Sequence, residues 1–273
     1  MAILTISSPS QYMRKIVARQ LAGKTGFSCV SREILLEASE QYNVPQIKMA
    51  RAMNESPTIF ERFTHGKEKY IAFFRATFLE NLKQGNVIYH GILGQLFVQG
   101  VPHVLKVRVV PSMEMRIADE MERENVTKQV AQKRIEQADK ERANWSSALY
   151  KVDTTDSDLY DLVINLDHIS VEHCVDIILS TLNAPYYQKQ EEALHHLNDL
   201  AVVAAVKAAI ADNYLDATVS CTDGNLSIKL DPPVSQAENR KQEILTLIRD
   251  IEGIESVDLD IRSQIISGTP MHK

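Results

Sequence analysis

The stretch ILTISSPSQYMRKIVARQLAGKTGF, residues 3–27, decides how the rest of the chain is read. Ile3–Ser7 is a short, β-branched apolar run that reads as a buried strand. From Gln11 to Ala22 the residues Ile16, Val17, Gln20 and Leu21 recur at helical spacing. Gly23 and Gly26 then close the helix and lead to a second strand at residues 27–30. Between the first strand and its helix stands SSPSQYMRK, residues 7–15, a joint without a single glycine.

The alternation continues downstream. Ser31 is placed to cap the next helix, with Glu33 and Ile34 in its first turn. Residues 45–84 are mostly helical in pattern, and Phe60, Phe63, Tyr70, Phe73, Phe74 and Phe78 fall where an aromatic core face would put them. Gly85-Asn86 stops that helix. Strands follow at Val87–Tyr89, Val104–Val110 and residues 162–166, with helices at Met113–Glu124, Lys128–Tyr150 and Val171–Leu182. Short continuous apolar strands separated by helices predict an α/β fold with a parallel sheet covered on both faces. Ligands on such sheets bind beyond the carboxyl ends of the strands, which directs attention to residues 7–15, 90–94 and the segment after Val110.

The polar, proline-broken residues 183–192 read as a linker. After them come an amphipathic helix (194–213), two alternating strands (217–221 and 226–230) around the turn Thr222-Asp223-Gly224-Asn225, a helix (236–250) and a last strand (257–261). The expected division is residues 1–183, a linker at 184–193, an αββαβ module at 194–265 and a tail at 266–273.

Of the 30 Lys+Arg and 36 Asp+Glu, 8 and 14 fall in residues 184–273, so the whole net charge of −6 resides there. An acidic chain is a poor binder of bulk nucleic acid, whose backbone needs clustered cations, although a basic pocket for one nucleotide is compatible with it. Cys29, Cys174 and Cys221 are too scattered for a disulfide framework or a metal site. AILTI is too short for a signal peptide, and no run approaches the roughly 18 apolar residues of a membrane helix. The expectation is a cytoplasmic protein without a transmembrane segment. No HExxH or GxSxG motif is present, and Asp153, Asp156, Asp158 and Asp161 lack the glycine and glutamate of a calcium loop.

A helix N-terminus aimed at a strand end favours anions in any sequence. Phosphate loops add glycines that wrap the phosphates, a lysine, and a hydroxyl for magnesium. In SSPSQYMRK the hydroxyls of Ser7, Ser8 and Ser10 and the cations Arg14 and Lys15 are present, but the wrapping residues are absent. Pro9 lacks an N–H, and Tyr12 and Met13 are expected to fill space that a phosphate needs.

The first 183 residues nevertheless resemble the cytidylate kinase-like family, a branch of the P-loop nucleoside monophosphate kinases. The resemblance rests on the order and spacing of TIS (5–7), RKIVARQLAGKTGF (14–27), SREIL (31–35), NVIYHG (86–91), HVLKVRVV (103–110), KRIEQADKER (133–142) and DSDLYDLVINL (156–166). It implies a parallel sheet with an ATP site at the first loop, a helical acceptor subdomain at residues 44–84, and a lid. Ser8, Ser10, Arg14 and Lys15 stand at the donor phosphates, with Arg14 and Lys15 matching the end of the GSGGRE motif that this branch often carries. Arg134, Asp139 and Arg142 stand on the lid segment as the catalytic set. His90, Gly91, Arg108 and Arg116 are the acceptor-side candidates, in a chain whose HGILG replaces the usual Arg-Asp pair. ATP and magnesium are the implied co-substrates and a CMP-like nucleotide the implied acceptor. Residues 196–263 resemble a BON-type module through AVVAAVKAAI, DGNLSIKL and IEGIESVDLDIR, which implies a protein partner or self-association. Two functions follow. One is an ATP-dependent nucleoside monophosphate kinase. The other is a non-catalytic nucleotide sensor or scaffold, and the altered loop favours weak or lost catalysis.

Overall fold

The computed structural model describes residues 2–54, 67–91, 93–188, 191–234 and 237–263. Phe60, Phe63 and Arg62 of the expected acceptor subdomain, and the tail at 266–273, lie outside them.

The first half is built on five strands, β1 (Ile3–Ser7), β2 (Ser28–Val30), β3 (Val87–Tyr89), β4 (Val104–Val110) and β5 (Leu162–Asn165), all parallel in the order β2-β3-β1-β4-β5. β1 lies at the centre because its Ile3, Leu4 and Ile6 are apolar towards both faces, the requirement of a strand covered on both sides. Leu4, Ile6, Leu105 and Val107 turn to one face and are covered by α1 (Gln11–Thr25) and, later in the chain, Val171–Leu182, through Val17, Leu21, Val175 and Ile178. Ile3, Val87, Tyr89 and Val104 turn to the other. There they meet the helix Glu68–Lys83 through Phe74, Phe78, Leu79 and Leu82, and Phe97 from a short helical turn. Phe78 packs edge-on to Tyr89 at 4.7 Å and tilts against Phe97 at 5.6 Å, and the described part of the aromatic stripe, Tyr70, Phe73, Phe74 and Phe78, belongs to the core as expected.

In chain order the remaining helices are α2 (Arg32–Gln41), α3 (Gln46–Asn54), α4 (Glu68–Lys83), α5 (Gly94–Phe97), α6 (Met113–Glu124), α7 (Lys128–Tyr150), α8 (Val171–Leu182), α9 (Pro185–Gln188), α10 (Glu191–Ala209) and α11 (Ala237–Ile248). Their ends follow local chemistry. Gly26, at φ 74°, closes α1 by donating its N–H to the Ala22 carbonyl. Ser112 and Ser170 cap α6 and α8 by accepting from the N–H groups of Met115 and His173. Ser31 does not cap α2 with its side chain as expected. Its own N–H donates instead to the Glu33 carboxylate, two residues on, at 2.8 Å.

The second half has β6 (Thr218–Thr222) antiparallel to β7 (Asn225–Val234), which is parallel to β8 (Ser256–Ser263). Asp223 and Gly224 both take positive φ in the two-residue turn. The Asp199 carboxylate, from α10, accepts from both of their N–H groups. Within the segment expected to be a linker, Pro185–Gln188 form the one-turn α9, residues 189 and 190 lie outside the described ones, and α10 begins at Glu191. α10 belongs to two cores. Leu197, Ala201, Ala204 and Ala208 pack with Phe73 and Phe74 of α4, while Val202, Val206 and Ile210 pack with Leu226, Ile228 and Ile244. The alanines let α10 approach α4 closely, and a Lys69–Asp212 ion pair adds a bond between the halves.

Two halves that share one helix should lose it together. Leu197→Ala removes a fully buried side chain on the α4 side and should cost about 2–4 kcal/mol. A calorimetric melt should keep one transition at lower temperature. Two resolved transitions, only one of them shifted, would show that the halves unfold separately.

Candidate functional site

The joint between β1 and α1 is a tight cap. Ser8 is almost wholly buried, and its hydroxyl oxygen accepts from the Ser10 N–H at 3.2 Å. Ser10 is the N-cap of α1, and its hydroxyl accepts from the Met13 N–H at 3.2 Å. These contacts do what a glycine loop leaves to a ligand: they satisfy backbone donors from within. Met13 does not fill the phosphate space as expected; it turns into the core beside Val17, because its position on α1 faces the sheet. Tyr12, 47% exposed, lines only the smallest of the three spaces described below and neither larger one.

The room left open is a cavity of about 450 Å³ at the carboxyl ends of β1 and β4, walled by the end of α7. A second cleft of about 660 Å³ lies towards α2 and α3, lined by Leu35, Ile47, Met53, Phe74 and Tyr89 on its apolar side. A smaller one of about 290 Å³ opens between the first turn of α1 and helices α6 and α7. Arg14 and Arg142 line both larger spaces, and Arg116 and Arg142 line the first and the third, so the three form one branched cleft around these guanidinium groups.

Each arginine is held differently. Arg14 is only 9% exposed; its Nη1 donates to the Ser8 carbonyl at 3.3 Å, and its Nε has no acceptor among the described residues. Burial, with Arg142 nearby, pulls its pKa down to about 10, so it is still charged at neutral pH. Arg116 makes a bidentate pair with Asp139 at 2.7 and 2.8 Å. Arg142 reaches the same carboxylate at 3.3 Å, and burial holds its pKa below the usual guanidinium range, with Arg116 and Arg108 contributing.

Arg108 pairs in the sheet with Ser7 and Val163 and sends its side chain to the cavity face. Nη1 donates to the Thr154 carbonyl at 2.6 Å, and the guanidinium lies 5.6 Å from the centre of the Tyr160 ring. The Tyr160 hydroxyl donates to the same carbonyl at 2.9 Å and accepts from buried Gln95 Nε2 at 3.2 Å. Tyr160 and the Thr154 carbonyl thus clamp Arg108 without neutralising it.

Of the residues expected from sequence, Ser8, Arg14, Gly91, Arg108, Arg116, Asp139 and Arg142 line the 450 Å³ cavity. Ser10 lines the smallest space. Lys15 is exposed and lines none of the three. Arg134 lines the smallest space, not the central cavity, and lies 3.7 Å from Glu124 and 3.9 Å from Glu120 of α6. His90 also lines none of the three; burial and then Arg14 push its pKa down to about 4, which keeps the imidazole neutral near pH 7. Gly91 and Gly94 do permit a close approach, but the approaching group is the protein's own Tyr89. A Cβ on Gly91 would stand 2.0 Å from the Tyr89 hydroxyl, and one on Gly94 2.6 Å from its ring. The clamp of Tyr160, Thr154 and Gln95 was missed. Tyr160 does stand immediately before the β5 segment, but a carbonyl such as that of Thr154 leaves no trace in a sequence.

Comparison with known proteins agrees with this architecture. The model of the cytidylate kinase-like family matches residues 3–168, and the chain belongs to that family. A cytidylate kinase from Methanocaldococcus jannaschii is 25% identical over 168 residues, which is 58% of this chain and 92% of that protein. Among solved structures, an uncharacterized protein from Eubacterium ventriosum superposes with a TM-score of 0.51 at 18% identity, over 67% of this chain and 99% of that one. Shikimate kinase from Bacteroides thetaiotaomicron gives a TM-score of 0.42 at 12% identity, over 66% of this chain and 98% of that one.

The clamp on Arg108 carries its own prediction. Tyr160→Phe keeps the ring but leaves Gln95 Nε2 without its acceptor and the Thr154 carbonyl with one donor fewer. It should cost about 1–3 kcal/mol in urea denaturation. Unchanged stability would mean that the hydroxyl is not part of a buried network.

Proposed function

We propose that this chain binds the phosphates of nucleotides in the cleft at the ends of β1 and β4, and that guanidinium groups have taken over the work of a glycine-rich loop. The observation that carries this reading is the convergence of Arg14, Arg108, Arg116 and Arg142 on one cavity, where Asp139 is the carboxylate that pairs with two of them. Buried cations without counter-charge are costly, and an anionic ligand is the compensation that a cleft of this size admits. Planar guanidinium groups suit phosphate oxygens, which they meet in bidentate fashion.

The ancestral reaction, by kinship with cytidylate kinases, is transfer of a phosphoryl group from ATP to a CMP-like nucleoside monophosphate. In this reading Arg14 and Arg142, which line both larger spaces, stand between donor and acceptor, and Arg116 and Asp139 fix the lid helix in place. Asp139 acts by orienting Arg116 and Arg142. Phosphoryl transfer depends on positioning and charge neutralisation. Two supports for it have changed here, since the loop donors are capped internally and a neutral His90 stands at the position of the Arg-Asp pair. We therefore assign weak or lost catalysis, and a role as a nucleotide sensor or scaffold coupled to the C-terminal module. The shared helix α10, which packs on the same α4 whose Phe74 lines the cleft, favours that coupling.

Titration calorimetry with ATP and with CMP should detect binding, and Arg142→Ala should weaken both by roughly tenfold or more, the worth of a charge-assisted hydrogen bond. A coupled assay with each nucleoside monophosphate completes the test. Turnover well above background that disappears in Arg142→Ala would overturn the assignment of lost catalysis. No binding of either nucleotide at millimolar concentration would overturn the assignment of a nucleotide site.

A further inference from the structure

Kinases of this fold use ATP as its magnesium complex, so the donor set of the cleft bears directly on which form of nucleotide it takes. Magnesium demands a near-octahedral shell of hard oxygens, usually one or two carboxylates or a hydroxyl in addition to phosphates and water. The oxygens in and beside the central cavity are largely committed. Ser8 Oγ and Ser10 Oγ accept from backbone N–H groups of the cap, each at 3.2 Å. Both oxygens of Asp139 face guanidinium groups, at 2.7, 2.8 and 3.3 Å. Asp153 Oδ1 accepts from the Thr155 N–H at 2.8 Å and from its hydroxyl at 2.7 Å.

Among the described residues, Asp139 and Asp153 are the carboxylates that line the central cavity, and the apolar cleft beside it has none; the smallest branch adds Asp119 and Glu120, set against Arg116, Arg123, Arg134 and Arg142. No group of three or more His, Cys, Asp or Glu among those residues could hold a metal ion. Against Asp139 and Asp153 the central cavity sets Arg14, Arg108, Arg116, Lys140 and Arg142. A dication would enter a field of its own sign. The residues therefore do not fit the metal that the family implies.

They do fit a naked polyphosphate. Arg14 is nine-tenths buried, lines two of the spaces, and has an Nε with no partner among the described residues. Its fork needs phosphate oxygens that are not already chelated.

We propose that the cleft takes its nucleotide as the metal-free anion, a free nucleoside di- or triphosphate, and that magnesium competes with binding instead of supporting it. The proposal rests on the assignment of a nucleotide site above. It also supplies a physical reason for weak transfer, because a γ-phosphate held without magnesium lacks the charge neutralisation on which its departure depends.

The test is titration of the full chain with ATP in excess EDTA and again in saturating magnesium, at matched ionic strength because screening alone weakens such contacts. ATP should bind at least about tenfold more weakly when magnesium saturates it, while CMP, a much poorer chelator, should change little. Asp139→Asn serves as the second variant. It frees Arg116 and Arg142, so metal-free ATP should bind severalfold more tightly, whereas loss of a magnesium ligand would weaken the magnesium complex. ATP that binds equally well or better with magnesium overturns the proposal and leaves the nucleotide site standing. If neither ATP nor CMP binds under either condition, both readings fall.

Discussion

Positive charge that the protein does not itself neutralise is the constraint around which the active end of this sheet is arranged. Asp139 answers Arg116 fully and Arg142 in part. Arg14 and Arg108 are answered by carbonyl oxygens, of Ser8 and Thr154, that carry only partial charge. In water this imbalance would be trivial. Inside a cleft walled by Trp145, Leu93 and Val110 the same charges interact through a medium that screens them far less. Every other feature of the site is an accommodation to that fact: the bidentate geometry, the ring of Tyr160 under Arg108, and the neutral His90.

The sheet makes the convergence possible. β1 and β4 are paired with Ser7 opposite Arg108, so the strand that delivers the chain to α1 and the strand that delivers the third arginine end side by side. β5 then sets Tyr160 beneath Arg108, since Val107 pairs with Leu162 and Tyr160 lies two residues before it. The remaining two arginines come from helices that cross above. α7 is anchored at its far end, where Trp145 donates its indole N–H to the Ala52 carbonyl of α3 at 2.8 Å. That bond ties the helix carrying Arg142 to the wall of the neighbouring cleft.

How much of this was legible in sequence divides along physical lines. Strand and helix bounds were readable because they are set locally, by β-branched runs and by Gly26 as a stop, although the cap read at Ser31 is not made by its side chain. The arginines were readable too, since a charge within an apolar strand such as Arg108 requires a partner wherever it lies. What the residues could not disclose was which partner it would be, because Thr154 answers with its backbone. Gly91 and Gly94 signalled a close approach, and the fold brings Tyr89 against both while Gly91 also lines the cavity. Lys15 lines none of the three spaces although its neighbour Arg14 lines two, because on a helix neighbours in sequence point about 100° apart.

The composition of α10 concealed how it meets the first half. A helix with one apolar face implies a separate module that keeps its other face in water. α10 has two such faces, and the second is built of alanines whose small size hides their role from any hydropathy pattern. Ala201, Ala204 and Ala208 contribute little apolar area each, but they let the α10 backbone lie against α4 at close range. The consequence reaches the site. α4 bears Phe74 on the cleft and Phe73 towards α10, and Asp199 of α10 holds the Asp223-Gly224 turn of the second sheet. A guanidinium cluster works as a phosphate cradle only if its walls resist the collapse that its own apolar surroundings favour. The C-terminal module packs through α10 on the helix whose Phe74 forms part of that wall.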